Sequence, residues 1–204
     1  IVERNNLRKS EALEELCNII STSTGELLNA QRIANTYASV RHEIIDSKTI
    51  EDYVGYFKDS FILREARRYD LKGRREIGAL RKYYFCDTGL RNACLDFAFP
   101  DEGQMLENIV FNELCYNGYS VSVGRVGRLE CDFILRDNEM RYSYVQVSYT
   151  IALSKETEDR EYKPLESIKD NYPKYVVTID PLLQQRNGIV HVNLADFMKN
   201  GKEF

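Results

Sequence analysis

Apolar residues recur at helical spacing through the first 60 residues and predict three helices. The first helix starts near Leu7, and its apolar face consists of Leu13, Leu16, Cys17 and Ile20. Asn29 is a typical N-cap for a second helix. The third helix starts near Ser47 and places apolar residues at i, i+3, i+4 and i+7, namely Ile50, Tyr53, Val54 and Phe57. The N-terminal region is therefore predicted to be helical.

The pattern changes after the third helix. Residues 61–63 and 80–85 indicate two strands, and a basic stretch that contains Gly73 and Gly78 joins them. Three helices followed by a hairpin with a basic turn is the layout of a winged helix-turn-helix. We therefore predict a helical, winged-helix domain over residues 1–100.

A second unit is predicted from Asp101, with the boundary at Phe99–Asp101. A helix with an apolar face ends at Asn117-Gly118, and three strands follow at 119–126, 129–136 and 141–150. A charged helix at 156–171, strands at 174–179 and 188–192 and a helix from Leu194 complete the chain. This order predicts an α/β domain over residues 101–204 and an α+β protein overall, because the late strand can pair beside the meander through a helical crossover.

Charge is distributed unevenly along the chain. The 204 residues carry a net charge of −4, whereas residues 64–82, which we call the basic hairpin, contain eight basic and three acidic residues. Such asymmetry is typical of an interaction segment, although a solvated hairpin would have the same composition. The residues predicted to contact the phosphates of duplex DNA are Arg67, Arg68, Lys72, Arg74 and Arg75.

Several classes of site and location are disfavoured. The five cysteines form no C-x-x-C pair and the two histidines have no neighbouring ligand pattern, which argues against zinc and favours a reducing cytoplasm. Gly73 and Gly78 have P-loop spacing, but Ala79 and Leu80 stand where Lys and Ser/Thr are needed, so this chain should not hydrolyse ATP. No apolar run is long enough for a membrane span. Because the chain starts with Ile1 instead of Met, we expect it to be part of a longer protein.

Three polar residues in the second unit form a candidate catalytic set. Glu107 lies on the helix before the meander, Asp132 interrupts the apolar strand 131–135, and Gln146 lies in the next strand. A carboxylate in an apolar strand is costly unless it is paired or bound to a metal. The arrangement resembles that of the PD-(D/E)XK nucleases, in which acidic groups hold a divalent metal and a lysine helps to activate water. On this basis Glu107 and Asp132 are candidate, weak ligands of Mg²⁺.

Four segments resemble an uncharacterised module that follows the ATPase domain in bacterial and archaeal AAA-type ATPases. The segments are 82–90 (KYYFCDTGL), 106–114 (LENIVFNEL), 130–133 (ECDF) and 145–147 (VQV). The resemblance covers about residues 29–180. It implies a winged helix followed by a restriction-endonuclease-like domain, with an ATP-binding ATPase domain upstream as a partner in the same chain.

The chain departs from this family where many relatives resemble Glu-x-Lys, because it has Gln146-Val147-Ser148. Gln146 brings no charge and Ser148 cannot replace an ammonium group; the nearest lysines along the sequence are Lys155 and Lys163. We therefore expect a degenerate, inactive nuclease-fold domain that acts in DNA or partner binding. The alternatives are an active metal-dependent nuclease and a protein-docking or homo-oligomerisation module.

Overall fold

The computed structural model describes residues 1–5, 10–97 and 101–200. Its helices are α1 (Ser10–Thr22), α2 (Ala30–Arg41), α3 (Ser47–Asp59), α4 (Thr88–Cys94), α5 (Glu102–Tyr116), α6 (Lys155–Glu166) and α7 (Leu194–Asn200). Its strands are β1 (Leu63–Asp70), β2 (Arg75–Phe85), β3 (Ser120–Val126), β4 (Leu129–Arg136), β5 (Tyr142–Val147), β6 (Lys174–Thr178), β7 (Gln185–Arg186) and β8 (Ile189–Asn193). The predicted mixed α/β fold class is confirmed.

The chain forms two compact units. Unit 1 comprises Ile1–Glu65 and Ala79–Pro100, and unit 2 comprises Ala66–Gly78 and Asp101–Phe204. The predicted boundary at Phe99–Asp101 falls on residues 98–100, which lie outside the described residues, as do residues 7–9 at the predicted start of the first helix. The tip of the basic hairpin therefore belongs to the same compact unit as residues 101–200.

Unit 1 is a three-helix core closed by the base of the hairpin. Buried residues of α1, α2 and α3 pack together with Leu63, Tyr83 and Phe85 of the two strands. The Asn29 side chain accepts the backbone N–H of Arg32 at 2.8 Å, which confirms the predicted N-cap. In α3 the cap is Asp46, one residue before the predicted start.

The C-terminus of α3 contains a strained residue. The N–H of Phe61 donates to the Lys58 carbonyl and the N–H of Ile62 donates to the Phe57 carbonyl, the pair of hydrogen bonds of a Schellman motif. The motif places Phe61 in the left-handed region, with φ of 56°. Glycine is the usual residue there, because a Cβ is unfavourable in this conformation.

Replacing Phe61 by glycine should therefore raise the free energy of unfolding by about 1 kcal/mol relative to alanine at the same position. Phe61 is 79% exposed, so little packing is lost in either variant. Urea denaturation of Phe61→Gly and Phe61→Ala measures the difference. Equal midpoints for the two variants would show that the backbone is not strained there.

Unit 2 contains most of the sheet, whose complete strand order is β2-β1-β3-β4-β5-β6-β8-β7. Strands β3, β4 and β5 form the predicted antiparallel meander, and α6 leads from β5 to the parallel strand β6. Phe111 of α5 contacts Phe133 of β4, with ring centroids 5.9 Å apart. Tyr162 and Leu165 of α6 pack in a separate cluster with Tyr144 and Val176 of the sheet.

The basic hairpin differs from the prediction of two short strands joined by a long basic turn. The strands continue through the basic residues, and only residues 71–74 form the turn. The reason is a non-local pairing: β1 lies parallel to β3, from Arg67 opposite Ser122 to Asp70 opposite Arg125. The β3 strand thus provides hydrogen-bond partners that the hairpin sequence does not reveal.

Helix α6 is shorter than predicted, because the chain leaves the helix at Ser167 instead of Asn171. Ile168 then packs into the cluster formed with α6. Asp170 accepts hydrogen bonds from the Tyr144 hydroxyl (2.6 Å) and from Lys174 Nζ (3.2 Å), which holds the following loop against β5 and β6. None of the helices in the described ranges combines the length and apolar composition needed to cross a bilayer.

Candidate functional site: the strand fork and the basic hairpin

A β-bulge lies at the predicted catalytic aspartate. Ser122 pairs with Ile134 and Gly124 pairs with Cys131, so Val123 alone opposes Asp132 and Phe133. A Cβ on Gly124 would lie only 3.0 Å from the Cβ of Cys131, which explains a glycine in the middle of β3. The bulge changes the strand register at the position where the carboxylate projects.

The β4–β5 ladder ends at this bulge, and we call its end, at Asp132 and Gln146, the strand fork. The last main-chain pair is Phe133 with Val145. Beyond it, Asp132 Oδ2 accepts the N–H of Val147 at 2.9 Å, and Gln146 Oε1 accepts the N–H of Asp132 at 3.3 Å. Each side chain therefore replaces a main-chain acceptor of its own strand, and the polar pair satisfies backbone groups that are buried.

A second buried carboxylate adjoins the strand fork. Glu161 of α6 is 7% exposed, and its Oε2 accepts a hydrogen bond from Gln146 Nε2 at 3.1 Å. Its Oε1 is paired with Arg160 at 2.7 Å. Both ends of the Gln146 amide are therefore engaged. Sequence reasoning missed Glu161 because it lies in a charged helix, although its position next to the apolar Tyr162 was a signal.

The residues of the strand fork make hydrogen bonds within the protein. Asp132 and Gln146 are brought together as predicted, and Glu107 lies half-buried on α5. Within residues 1–5, 10–97 and 101–200, no group of three or more His, Cys, Asp or Glu side chains is placed to hold a metal ion. The oxygen atoms that Asp132 and Gln146 present to β5 and β4 already accept backbone N–H groups.

The two lysines nearest in sequence have other surroundings. Lys155 Nζ pairs with Glu158 at 3.1 Å on the first turn of α6. Lys163 is exposed, and it lies two positions from Glu161, which puts it on the far side of the helix. Ser148 donates its hydroxyl hydrogen bond to the Thr150 carbonyl at 3.2 Å. None of these three residues places a cation beside Asp132.

The basic hairpin concentrates its available charge in the turn. Arg67 is paired with Glu76 at 3.1 Å, and Arg68 is half-buried. Lys72, Arg74 and Arg75 are exposed, and no ion pair joins them to a carboxylate of the described residues. Asp70 Oδ2 accepts the N–H of Gly73 at 3.0 Å, and a Cβ on Gly73 would lie 2.8 Å from that oxygen. The Asp70 carboxylate thereby holds the turn that carries these cations.

A separate polar cluster is buried at the ends of β6 and β8. His191 Nε2 lies 2.7 Å from Thr178 Oγ1, and His191 Nδ1 accepts the N–H of Gln184. Asp180 accepts hydrogen bonds from the Thr150 hydroxyl and the Ile151 N–H. Burial lowers the pKa of His191 below its ordinary value of 6.5, although the Asp180 carboxylate acts in the opposite direction.

This pKa shift predicts a loss of stability in mild acid. The unfolded chain binds a proton on His191 below about pH 6.5 more readily than the folded chain does. The contribution of neutral His191 to the free energy of unfolding is therefore fully present above that pH and decreases as the pH falls below it. The urea midpoint should drop between pH 7.5 and 5.5 by more in the wild type than in His191→Gln. An equal drop in both proteins would assign the pH dependence to other groups.

Known proteins are similar to part of the chain. Residues 1–101 match a domain of unknown function, DUF8612. An uncharacterized protein of Haemophilus influenzae (strain ATCC 51907 / DSM 11121 / KW20 / Rd) is 33% identical over 178 residues, which are 87% of this chain and 43% of that protein. The chain thus spans less than half the length of this relative. No solved structure matches the chain.

Proposed function

We propose that this chain is a nucleic-acid-binding module in which a nuclease-like sheet serves as a scaffold and does not hydrolyse its ligand. The observation that carries the proposal is the use of Asp132 and Gln146 at the strand fork. Both side chains close the ends of strands, and Ser148 stands where hydrolysis would need a cation. The order α5–β3–β4–β5–α6–β6 and the position of Asp132 support descent from a nuclease-like, PD-(D/E)XK arrangement.

The pairing of the hairpin tip with β3, inside unit 2, supports a binding role. The hairpin tip is held by the parallel β1–β3 ladder and by the Asp70 turn, so its cations are positioned before any ligand arrives. Exposed cations on a hydrogen-bonded turn suit the phosphate backbone, whose contacts fix register without reading sequence. The overall charge of −4 limits such binding to this local patch.

The proposal includes a longer parent protein with an AAA-type ATPase domain upstream, to which this chain would deliver DNA or a protein partner. Two observations support it: the resemblance of residues 29–180 to the module that follows such ATPases, and the length of the Haemophilus influenzae relative, most of which lies outside the match. ATP would then bind in the upstream domain.

Charge reversal in the hairpin turn tests DNA binding. Fluorescence anisotropy with a labelled duplex should show that Arg74→Glu/Arg75→Glu binds about tenfold or more weakly than the wild type. Its log–log salt slope should be smaller by about two, because each phosphate contact contributes about 0.9. Both side chains are exposed, so the fold should be unaffected.

The control variant is Lys163→Glu/Lys199→Glu, which makes the same change of net charge at two exposed positions outside the hairpin. It should keep the wild-type salt slope. If both double variants lose affinity equally, the net charge of the chain alone accounts for its attraction to DNA. If neither does, the hairpin is not the DNA contact, and a protein-docking role replaces it.

A further inference from the structure

A cleft of about 600 Å³ opens in unit 2 near the hairpin turn, and its lining is aromatic and basic. Four tyrosines line it: Tyr69 of β1, Tyr142 and Tyr144 of β5, and Tyr172 of the loop after α6. We call it the tyrosine cleft. Its volume lies within the range of pockets that hold small ligands.

Hydrogen bonds to Asp170 connect several residues in the wall of the tyrosine cleft. The Asp170 carboxylate accepts hydrogen bonds from the Tyr144 hydroxyl (2.6 Å), the Tyr172 N–H (3.2 Å) and Lys174 Nζ (3.2 Å). Burial and the neighbouring Tyr142 hydroxyl raise the pKa of Tyr69. Since Asp170 is engaged within the protein, the tyrosine rings are the part of the wall that a ligand can contact.

Tyr172 presents an open ring to the cleft. It is 42% exposed, and its ring centroid lies 5.6 Å from that of the half-buried Tyr142. The two rings are inclined by 56°, so Tyr142 supports Tyr172 from one side without covering it. A supported, exposed aromatic ring is a surface on which a nucleobase can stack.

Cations occupy the rim of the same cleft. Lys72 and Arg74 come from the turn of the basic hairpin, and Lys169 comes from the loop after α6. Asp170 is the one carboxylate among the lining residues that the structure describes, and it is already bonded to Tyr144 and Lys174. An anionic group on the ligand would therefore meet positive charge at the rim.

We propose that the tyrosine cleft binds an unpaired nucleotide, with its base stacked on Tyr172 and its phosphate beside Lys72 and Arg74. The inference rests on the proposed nucleic-acid-binding function and names the state of the ligand. A base inside a duplex is stacked on both faces and cannot enter, whereas a base in a single strand or in a free nucleotide has a face available. These two sources share the same chemistry.

Anisotropy with a fluorescein-labelled thymidine 12-mer tests the cleft in the full chain. Tyr172→Ala should bind this single strand about tenfold or more weakly, which is the usual loss for one stacking ring. Tyr172→Phe, which keeps the ring, should bind as the wild type does. The matched control is Tyr116→Ala, because Tyr116 is 84% exposed on α5 and does not line the cleft.

Calorimetry with thymidine monophosphate, and with inorganic phosphate as a charge control, separates the two sources. If binding depends on Tyr172 and the 12-mer binds at least tenfold more tightly than the monophosphate, the ligand of the cleft is a single strand. If binding depends on Tyr172 and the monophosphate binds as tightly as the 12-mer, the ligand is a free nucleotide. If Tyr172→Ala binds both probes as the wild type does, or if phosphate alone binds as well as the nucleotide, the inference is overturned.

Duplex binding distinguishes failure of the cleft from failure of the proposed function. Arg75 is exposed on the hairpin but does not line the cleft, so Arg75→Glu should weaken duplex binding and leave binding of the monophosphate unchanged. If Arg75→Glu weakens duplex binding while Tyr172→Ala changes binding of neither the 12-mer nor the monophosphate, the cleft proposal fails and the proposed function stands.

Discussion

Replacing Asp132 by alanine is expected to lower the free energy of unfolding by about 1–3 kcal/mol. The variant leaves the buried N–H of Val147 without its acceptor at the strand fork, and an unsatisfied buried donor costs about that amount. Asp132 itself is 8% exposed, so water cannot readily replace the carboxylate. Urea denaturation in the presence of EDTA measures the change without any metal contribution.

Asp132→Asn is the matched variant, because its amide oxygen can still accept the Val147 N–H. It should lose clearly less stability than Asp132→Ala. A carboxylate kept for metal chemistry behaves in the opposite way, since its removal relieves a functional site of strain and often stabilises the metal-free protein. An Asp132→Ala protein at least as stable as the wild type would contradict a structural role for the strand fork.

The second large effect concerns hydrolysis. We expect no detectable cleavage of plasmid or single-stranded DNA with Mg²⁺, and at most a trace with Mn²⁺. Hydrolysis needs a held metal that activates water, and a further electrostatic donor near the transition state contributes roughly 100- to 1,000-fold in rate. The strand fork lacks that donor at Ser148, and Asp132 Oδ2 and Gln146 Oε1 are bonded to backbone N–H groups.

DNA cleavage is assayed for the wild type, Asp132→Ala and Ser148→Lys, each with Mg²⁺ and with Mn²⁺. Ser148→Lys should remain inactive, because the lysine restores a cation and not the missing ligands. Cleavage by Ser148→Lys alone would show that the metal ligands are in place after all. Robust wild-type cleavage that disappears in Asp132→Ala would establish an active nuclease.

Local sequence signals were sufficient for much of the fold. The helix-meander-helix-strand order of residues 102–178 followed from alternating apolar residues and from turn residues at the element ends. Caps are equally local: the Asn29 side chain accepts the N–H of Arg32, three residues along the chain. These features depend on residues within a few positions of each other.

The features that the sequence did not reveal depend on distant residues. The parallel β1–β3 pairing joins segments more than 50 residues apart, and strongly charged strands gave no apolar alternation to indicate it. The bulge at Asp132 is a one-residue register change, which period-two patterns do not show. The lining of the tyrosine cleft comes from four separate segments, within residues 69–74, 126–127, 142–144 and 167–172, so no local pattern in the sequence indicates it.

The most direct test of the account is a binding titration whose DNA is recovered and sized afterwards. Duplex DNA labelled at its 5′ end is titrated with the wild-type chain in the presence of Mg²⁺. The DNA of the bound fraction is then run on a denaturing gel. We predict salt-dependent binding and full-length DNA from the bound fraction. Shortened DNA, or the absence of binding at low salt, would contradict the claim that this chain holds nucleic acid without cutting it.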